Sequence, residues 1–373
     1  MKKRIFSIAF IFALLFFVTS CGDNEPFEPQ RSNWPVTLQA GDLSFHFLEL
    51  GNKFTGDCVY INYDNMDIII DAGSKQTSAT TIIAYIDQFI RDDIVEFVIA
   101  THPHEDHIAA FYSDFGVTGI FDAYEIGTII DFTETNRNTA TYRKYIEARN
   151  NLVASGKTKH YSALQCYYEE VEGALRIYDL DPDGKVQLEI LYNYYTEFPV
   201  TNENNNSVCI RIIQGENQYL FTADLETVAE NRLVEYYENK YPGKGLGHHV
   251  LYKGGHHGSN TSSGVNLMAA ITPDYICVCS CAGNYEYDFN SEAARFPGQQ
   301  FIDRVAPYTD AVYVTTIVED KAAWDDNRFT SFNGNIIFLV RNNEFSVHCS
   351  NNDLKLKETE WFKKNKTMPP AWM

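Results

Sequence analysis

The sequence predicts an α/β protein, and three observations carry that reading. Short Val- and Ile-rich runs alternate with segments of helical spacing. These units recur in two similar halves of about 150 residues each, with no short-period repeat. Groups of histidines and carboxylates fall directly after apolar strands. With 373 residues, 45% hydrophobic and 21% charged, the chain can bury a large core or two small ones, so disorder is excluded as its main theme.

From Val36 to Asp71 apolar and polar residues alternate in runs broken by Gly and Asn, as in Cys58-Val59-Tyr60-Ile61-Asn62-Tyr63 and Asp67-Ile68-Ile69-Ile70-Asp71. These read as paired antiparallel strands around a turn at Asp64-Asn65. Thr77 to Arg91 carries Ile82, Ile83, Ile86, Phe89 and Ile90 at helical spacing, and Val95 to Ala100 is a buried strand that delivers the chain to Thr101. Asn138 to Ser155 reads as a helix within a polar, Tyr-rich region, and 131–172 is expected as an insertion or lid. Further strands are expected at Val186–Tyr194, Val208–Ile213, Tyr219–Thr222, Val250–Tyr252, Tyr275–Cys281, Ala311–Thr316, Ile336–Val340 and Phe345–His348. Helices fall between them at Glu226–Tyr237 and near Gly298–Val305. The domain is expected over 36–350, with 351–373 as a short helix and a frayed end.

The N-terminus reads as a processing signal. Met1-Lys2-Lys3-Arg4 is basic, Ile5 to Val18 is apolar but short for a bilayer, and Val18-Thr19-Ser20-Cys21 comes at once after it. The pattern resembles a bacterial lipoprotein signal. That resemblance implies removal of 1–20, acylation of the Cys21 thiol and a tether over 21–35, hence export and lipid anchoring to an envelope membrane. Loss of Lys2, Lys3 and Arg4 takes the formal net charge from -20 to -23. So acidic a chain opposes a broad electrostatic grip on nucleic acid, leaving nucleic acid a disfavoured substrate, and no protein partner is indicated. The other seven cysteines are an odd number for a disulfide framework. Cys277, Cys279 and Cys281 alternate on one face of a strand, and core packing is a better reading of them than metal ligation.

The chemistry concentrates in three segments. Thr101-His102-Pro103-His104-Glu105-Asp106-His107 comes directly after a buried strand. His102 and His104 can converge on one cation from a turn, while Asp106 and His107, where a helix begins, aim at a second. Tyr219-Leu220-Phe221-Thr222-Ala223-Asp224 ends a strand in a carboxylate suited to bridging cations. Lys253-Gly254-Gly255-His256-His257-Gly258-Ser259 places two imidazoles on a glycine-rich turn after another strand. Together they supply ligating groups from three strand ends.

These segments, with Gly56-Asp57, Ile69-Ile70-Asp71-Ala72-Gly73 and Asn205-Asn206-Ser207, resemble the metallo-β-lactamase fold superfamily. Within it they resemble the branch of the ComEC C-terminal domain and phosphorylcholine esterase, over roughly Leu43 to Val347. The resemblance implies a four-layer αβ/βα sandwich with two divalent ions, zinc or alternatively manganese. His102, His104 and Asp224 would hold the first; Asp106, His107, Asp224 and one of His256 or His257 would hold the second. His257 is favoured as that ligand, with His256 facing substrate and Asp71 hydrogen-bonded behind the histidine loop. Asn204-Asn205-Asn206-Ser207 stands where many members place another histidine, and Phe296-Pro297 stands where the branch often has His-Pro.

The activity so implied is hydrolysis of a small-molecule or other phosphodiester by a metal-bridging hydroxide. Asp106 would orient the nucleophile and His256 would protonate the leaving group. Lys253, Ser259 and Asn260 are candidate phosphate contacts. Tyr142, Tyr145 and Tyr161 either wall the site or pack in the core. Lactone, lactam or other acyl hydrolysis on the same fold is the alternative, as is a degenerate surface-anchored binding protein.

Overall fold

The computed structural model describes residues 34–133, 137–284, 293–318 and 329–373. The signal segment 1–20, Cys21 and nearly all of the 21–35 tether lie outside the described residues. No helix among the described residues is long and apolar enough to cross a membrane.

The chain opens with β1 (Leu43–Phe47), β2 (Val59–Tyr63), β3 (Met66–Ile70), β4 (Ile94–Ala100), β5 (Glu125–Asp131) and β6 (Lys159–Ser162). It continues with β7 (Ile177–Asp179), β8 (Val186–Leu191), β9 (Cys209–Gln214), β10 (Asn217–Phe221) and β11 (Leu251–Lys253). β12 (Tyr275–Ala282), β13 (Val312–Val318), β14 (Phe329–Ser331), β15 (Ile336–Arg341) and β16 (Glu344–Cys349) complete the strands. They form two sheets, ordered β16-β15-β1-β2-β3-β4-β5-β6 and β14-β13-β12-β11-β10-β9-β8-β7. In β1 to β6 two antiparallel pairings precede three parallel ones, and β8 to β13 repeat that sequence of pairings. The two halves expected from the sequence are therefore repeats of pairing.

The helices are α1 (Ser78–Ile86), α2 (Glu105–Ile108), α3 (Ile120–Ala123), α4 (Ala140–Ala154) and α5 (Ala163–Tyr168) in the first half. In the second come α6 (Tyr194–Glu197), α7 (Thr227–Lys240), α8 (Val265–Ile271), α9 (Gln299–Val305) and α10 (Glu360–Asn365). The sheets face each other through apolar side chains: the Phe45 ring lies 4.6 Å from Tyr219, and Phe338 lies 5.1 Å from Tyr275. Ile82, Ile86, Ile120 and Tyr145 bring α1, α3 and α4 onto the first sheet, while Leu233, Met268, Ile271 and Phe301 bring α7, α8 and α9 onto the second. Layers of helix, sheet, sheet and helix result, the αβ/βα sandwich. Strand β12 shows why its sequence alternates: Cys277 and Cys279 lie in the cluster between the sheets, and Ile276, Val278 and Ala282 lie under the helices. All seven described cysteines are buried and unbridged.

Two expectations are corrected. The region around 131–172 is built into the sandwich, because α4 leads into β6, which pairs in parallel with β5 and extends the first sheet. Of the two readings left open for its tyrosines, packing is the one observed: Tyr145 lies 5.8 Å from both Phe111 and Phe121, Tyr142 lies 6.1 Å from Phe132, and Tyr161 is buried. The C-terminal tail is docked as well. Trp372 is buried against Phe362, and its indole N–H donates to the Thr309 carbonyl at 2.9 Å.

Candidate metal centre

Parallel strands end on the same edge of each sheet, so the turns leaving β3, β4, β10 and β11 meet there. The apolar run of β4 ends at Ala100, and Thr101 to His104 turn into α2. Two glycines let neighbouring backbone close on that turn. A Cβ at Gly73 would lie 1.6 Å from the Asp106 carbonyl oxygen, and one at Gly56 would lie 2.8 Å from it. The glycines of the Gly56-Asp57 and Asp71-Ala72-Gly73 motifs are thus required by contact. The same approach allows Asp57 N–H to donate to Asp106 O and Ala72 N–H to donate to His107 O.

Behind the histidines stand two carboxylates. Asp71 accepts from the Thr101 N–H and hydroxyl at 2.8 and 2.7 Å, and its Oδ2 lies 2.7 Å from His107 Nδ1. A carboxylate acceptor fixes the proton on Nδ1 and turns Nε2 inward. Asp57 does the same for His257: Oδ1 lies 2.9 Å from Nδ1, while Oδ2 takes the buried ammonium of Lys253.

Asp224 is the hub. Its Oδ2 lies 3.1 Å from His107 Nε2, 3.4 Å from His257 Nε2, 3.6 Å from His256 Nε2 and 3.8 Å from His102 Nε2. His104 Nδ1 sits 3.0 Å from His102 Nε2, and Asp106 Oδ2 sits 3.4 Å from His257 Nε2. Ligand atoms of Asp57, His107, Asp224 and His257 all fall within 4.8 Å of one another. Asp57 nonetheless acts from behind, since both its oxygens are committed to Lys253 and to the Nδ1 side of His257.

Electrostatics describe what this cluster lacks. Burial would lower the affinity of His107 and His257 for a proton, yet Asp224, together with Asp71 for the first and Asp57 for the second, raises both well above the ordinary histidine value. Burial would raise Asp106 and Asp224, but the imidazole of His257, 3.4 Å from Asp106, and the charge of His107 hold them low. His102 is held low by burial and by the neighbouring imidazoles, and burial brings His104 to about 4. Positive charge is therefore favoured at the centre of the cluster. Asp224 Oδ1 and His257 Nε2 are buried with no hydrogen-bond partner among the described residues. A donor set of imidazoles and carboxylates, with orphaned atoms aimed at its centre, fits divalent cations.

No protein-family model matches the chain. Over 94 residues it is 37% identical to the competence protein ComA of Neisseria gonorrhoeae, a match covering 25% of this chain and 13% of that protein. Among solved structures it is similar to the metallo-β-lactamase fold protein YhfI of Bacillus subtilis, at 12% identity and a TM-score of 0.41, over 74% of this chain and 96% of the other. It is also similar to CmlA, a diiron β-hydroxylase from Streptomyces venezuelae, at 11% identity and a TM-score of 0.35, over 65% and 45% of the two chains. The two mixed sheets and their outer helices are consistent with the metallo-β-lactamase fold.

A cavity of about 420 Å³ opens on the cluster, lined by His104, Asp106, Asn204, Asp224, His256, Ser259, Asn260, Thr261, Asn284 and Phe296. Of the two adjacent histidines, His257 is fully buried with Nε2 inward, while His256 reaches the cavity and is fixed by Thr261, whose Oγ1 lies 2.9 Å from Nδ1. Phe296 packs edge-on against His257. Asn260 lines the cavity, but its Oδ1 accepts from Gln300 N–H at the start of α9. The Ser259 hydroxyl lies 3.1 Å from that of Thr261.

Lys253 requires correction as a phosphate contact. It is 2% exposed and its ammonium is held by Asp57, so it turns away from the cavity. Sequence reasoning passed over Asp57, noted only within its motif, because its partners are 196 and 200 residues away. It also passed over Asn204, whose placement depends on long-range packing.

Proposed function

We propose that the protein is a two-metal-dependent hydrolase of phosphodiester-type substrates. The observation that supports this best is Asp224, whose Oδ2 lies within 3.1–3.8 Å of four imidazole nitrogens from the turns after two other strands, while its Oδ1 has no partner among the described residues. His102, His104 and Asp224 would hold one ion; Asp106, His107, Asp224 and His257 would hold the other. When bound, such ions supply water ionised near neutral pH and offset negative charge on a phosphoryl oxygen. Asp71 and Asp57 hold His107 and His257 in the tautomer that presents Nε2. Asp106 orients the attacking oxygen, and His256, steadied by Thr261 at the cavity wall, holds the proton for the leaving group at Nε2. Asn260 and Ser259 border the substrate. The cavity of about 420 Å³ can take a small ester, and the formal charge of -20 disfavours nucleic acid.

The same reading extends to location. Export and acylation at Cys21 would tether this domain to an envelope membrane, and Cys21→Ser would release it from the membrane fraction.

The test is hydrolysis of bis(p-nitrophenyl) phosphate by protein loaded with zinc or manganese, beside a chelated sample and Asp224→Ala. Turnover lost in both controls supports the reading. A fully loaded protein without turnover contradicts it and turns attention to lactones and lactams.

A further inference from the structure

Asn204 stands in the 3₁₀ turn Glu203–Asn206, just before β9, and it lines the cavity beside Asp224. It is 8% exposed, and its Oδ1 is buried with no partner among the described residues. The orientation of the amide is set from behind, since Nδ2 points to Glu226 Oε1 at 3.5 Å and a carboxylate can only accept. The oxygen is therefore the end presented forward.

The turn that carries it is tightly built. Asn193 Nδ2 donates to the carbonyls of Asn205 and Ser207 at 2.8 and 2.9 Å, Asn205 Oδ1 accepts from Glu226 N–H at 3.2 Å, and the Ser207 hydroxyl donates to the Asn204 carbonyl at 2.8 Å. The Val208 N–H, donating to the Thr101 carbonyl at 2.8 Å, ties the turn to the base of the histidine loop. A buried acceptor held this firmly without a donor is costly unless something else fills it.

We infer that Asn204 is a substrate-positioning residue, and that the substrate of this site carries a hydrogen-bond donor, a hydroxyl or N–H group, on the part that enters the cavity. The inference rests on the hydrolase reading for the location of the site. Asn204 accepts that donor through Oδ1 and so fixes the substrate relative to Asp224 and His256. An ester without such a donor leaves the amide oxygen unpaired and binds more weakly.

The test uses two probes of equal charge, 2-aminoethyl phosphate and phosphocholine, of which only the first offers N–H. Each is titrated calorimetrically into the metal-loaded protein, and the p-nitrophenyl esters of both are compared in turnover. The wild type is expected to favour the aminoethyl probe about 10- to 100-fold in Kd and in kcat/KM. Asn204→Ala is expected to bring that ratio close to one while its melting temperature shows it folded, and Asn204→Asp, which keeps an acceptor oxygen, is expected to retain the preference. Equal binding of both probes to the wild type, binding of neither, or a ratio unchanged in Asn204→Ala would overturn the inference. A preference in binding without hydrolysis of any phosphodiester would support Asn204 and remove the proposed reaction, which keeps the two failures apart.

Discussion

The two halves of the molecule place a carboxylate at corresponding positions and give it different surroundings. Asp71 comes directly after β3 and Asp224 shortly after β10, each the first strand of a parallel run. Both are buried, and both face His107 from opposite sides, Asp71 at Nδ1 and Asp224 at Nε2. Asp71 is fully occupied by the backbone and hydroxyl of Thr101 and by the imidazole. Asp224 keeps one oxygen with no hydrogen bond among the described residues and turns the other toward four histidines. A carboxylate already saturated with donors can only orient its neighbour, whereas one left short of donors is poised to ligate. The turn after the next strand in each half widens the contrast. Beyond β4 the chain passes His102 and the extended His104 before His107 in α2, while beyond β11 His256 and His257 occupy the left-handed region at φ 45° and 55°.

The contrast can be broken most sharply by one isosteric change made in both halves. Asp224→Asn should lower turnover on the order of 10³-fold, the scale of removing a group that stabilises transition-state charge. Asp71→Asn should weaken metal affinity about 10- to 100-fold and leave the stoichiometry unchanged. Steady-state kinetics and competition with a chelator distinguish the two, and equal losses would mean that the carboxylates share one role. A smaller effect is expected behind His257. Asp57→Ala leaves Lys253 charged and buried and should cost about 3–5 kcal/mol in denaturant unfolding, and Asp57→Ala combined with Lys253→Met should recover much of it. No recovery would show that Asp57 acts mainly through His257. At the low end, Ser259→Ala changes an exposed hydroxyl bonded to Thr261, so stability should stay within about 0.5 kcal/mol of wild type.

Much of this was legible in the sequence because it is local. Period-two and helical spacing located most strands and the longer helices, and His102 to His107 announced their chemistry within one turn. The structure also gathers Asp224, His256 and His257 there, because parallel strands end on one edge. Contacts that close over long separations were not legible. Nothing near Lys253 signals that its ammonium turns back to Asp57. Whether Tyr142 and Tyr145 wall the site or pack in the core was not decided by the sequence; their rings lie on α4 beside Phe111, Phe121 and Phe132. The docked tail was missed for the same reason, since Trp372 finds its partner at Thr309, 63 residues away. Asn204 sits in a run of asparagines whose individual roles depend on which amide the packing leaves without a partner.

Metal content after exhaustive dialysis, measured by inductively coupled plasma mass spectrometry, tests the role of Asp224 most directly. The wild type should retain two divalent ions per chain, Asp71→Asn should retain two that a chelator removes more easily, and Asp224→Ala should retain none. An Asp224→Ala protein that still holds two ions would contradict the assignment of this carboxylate as the group shared between them.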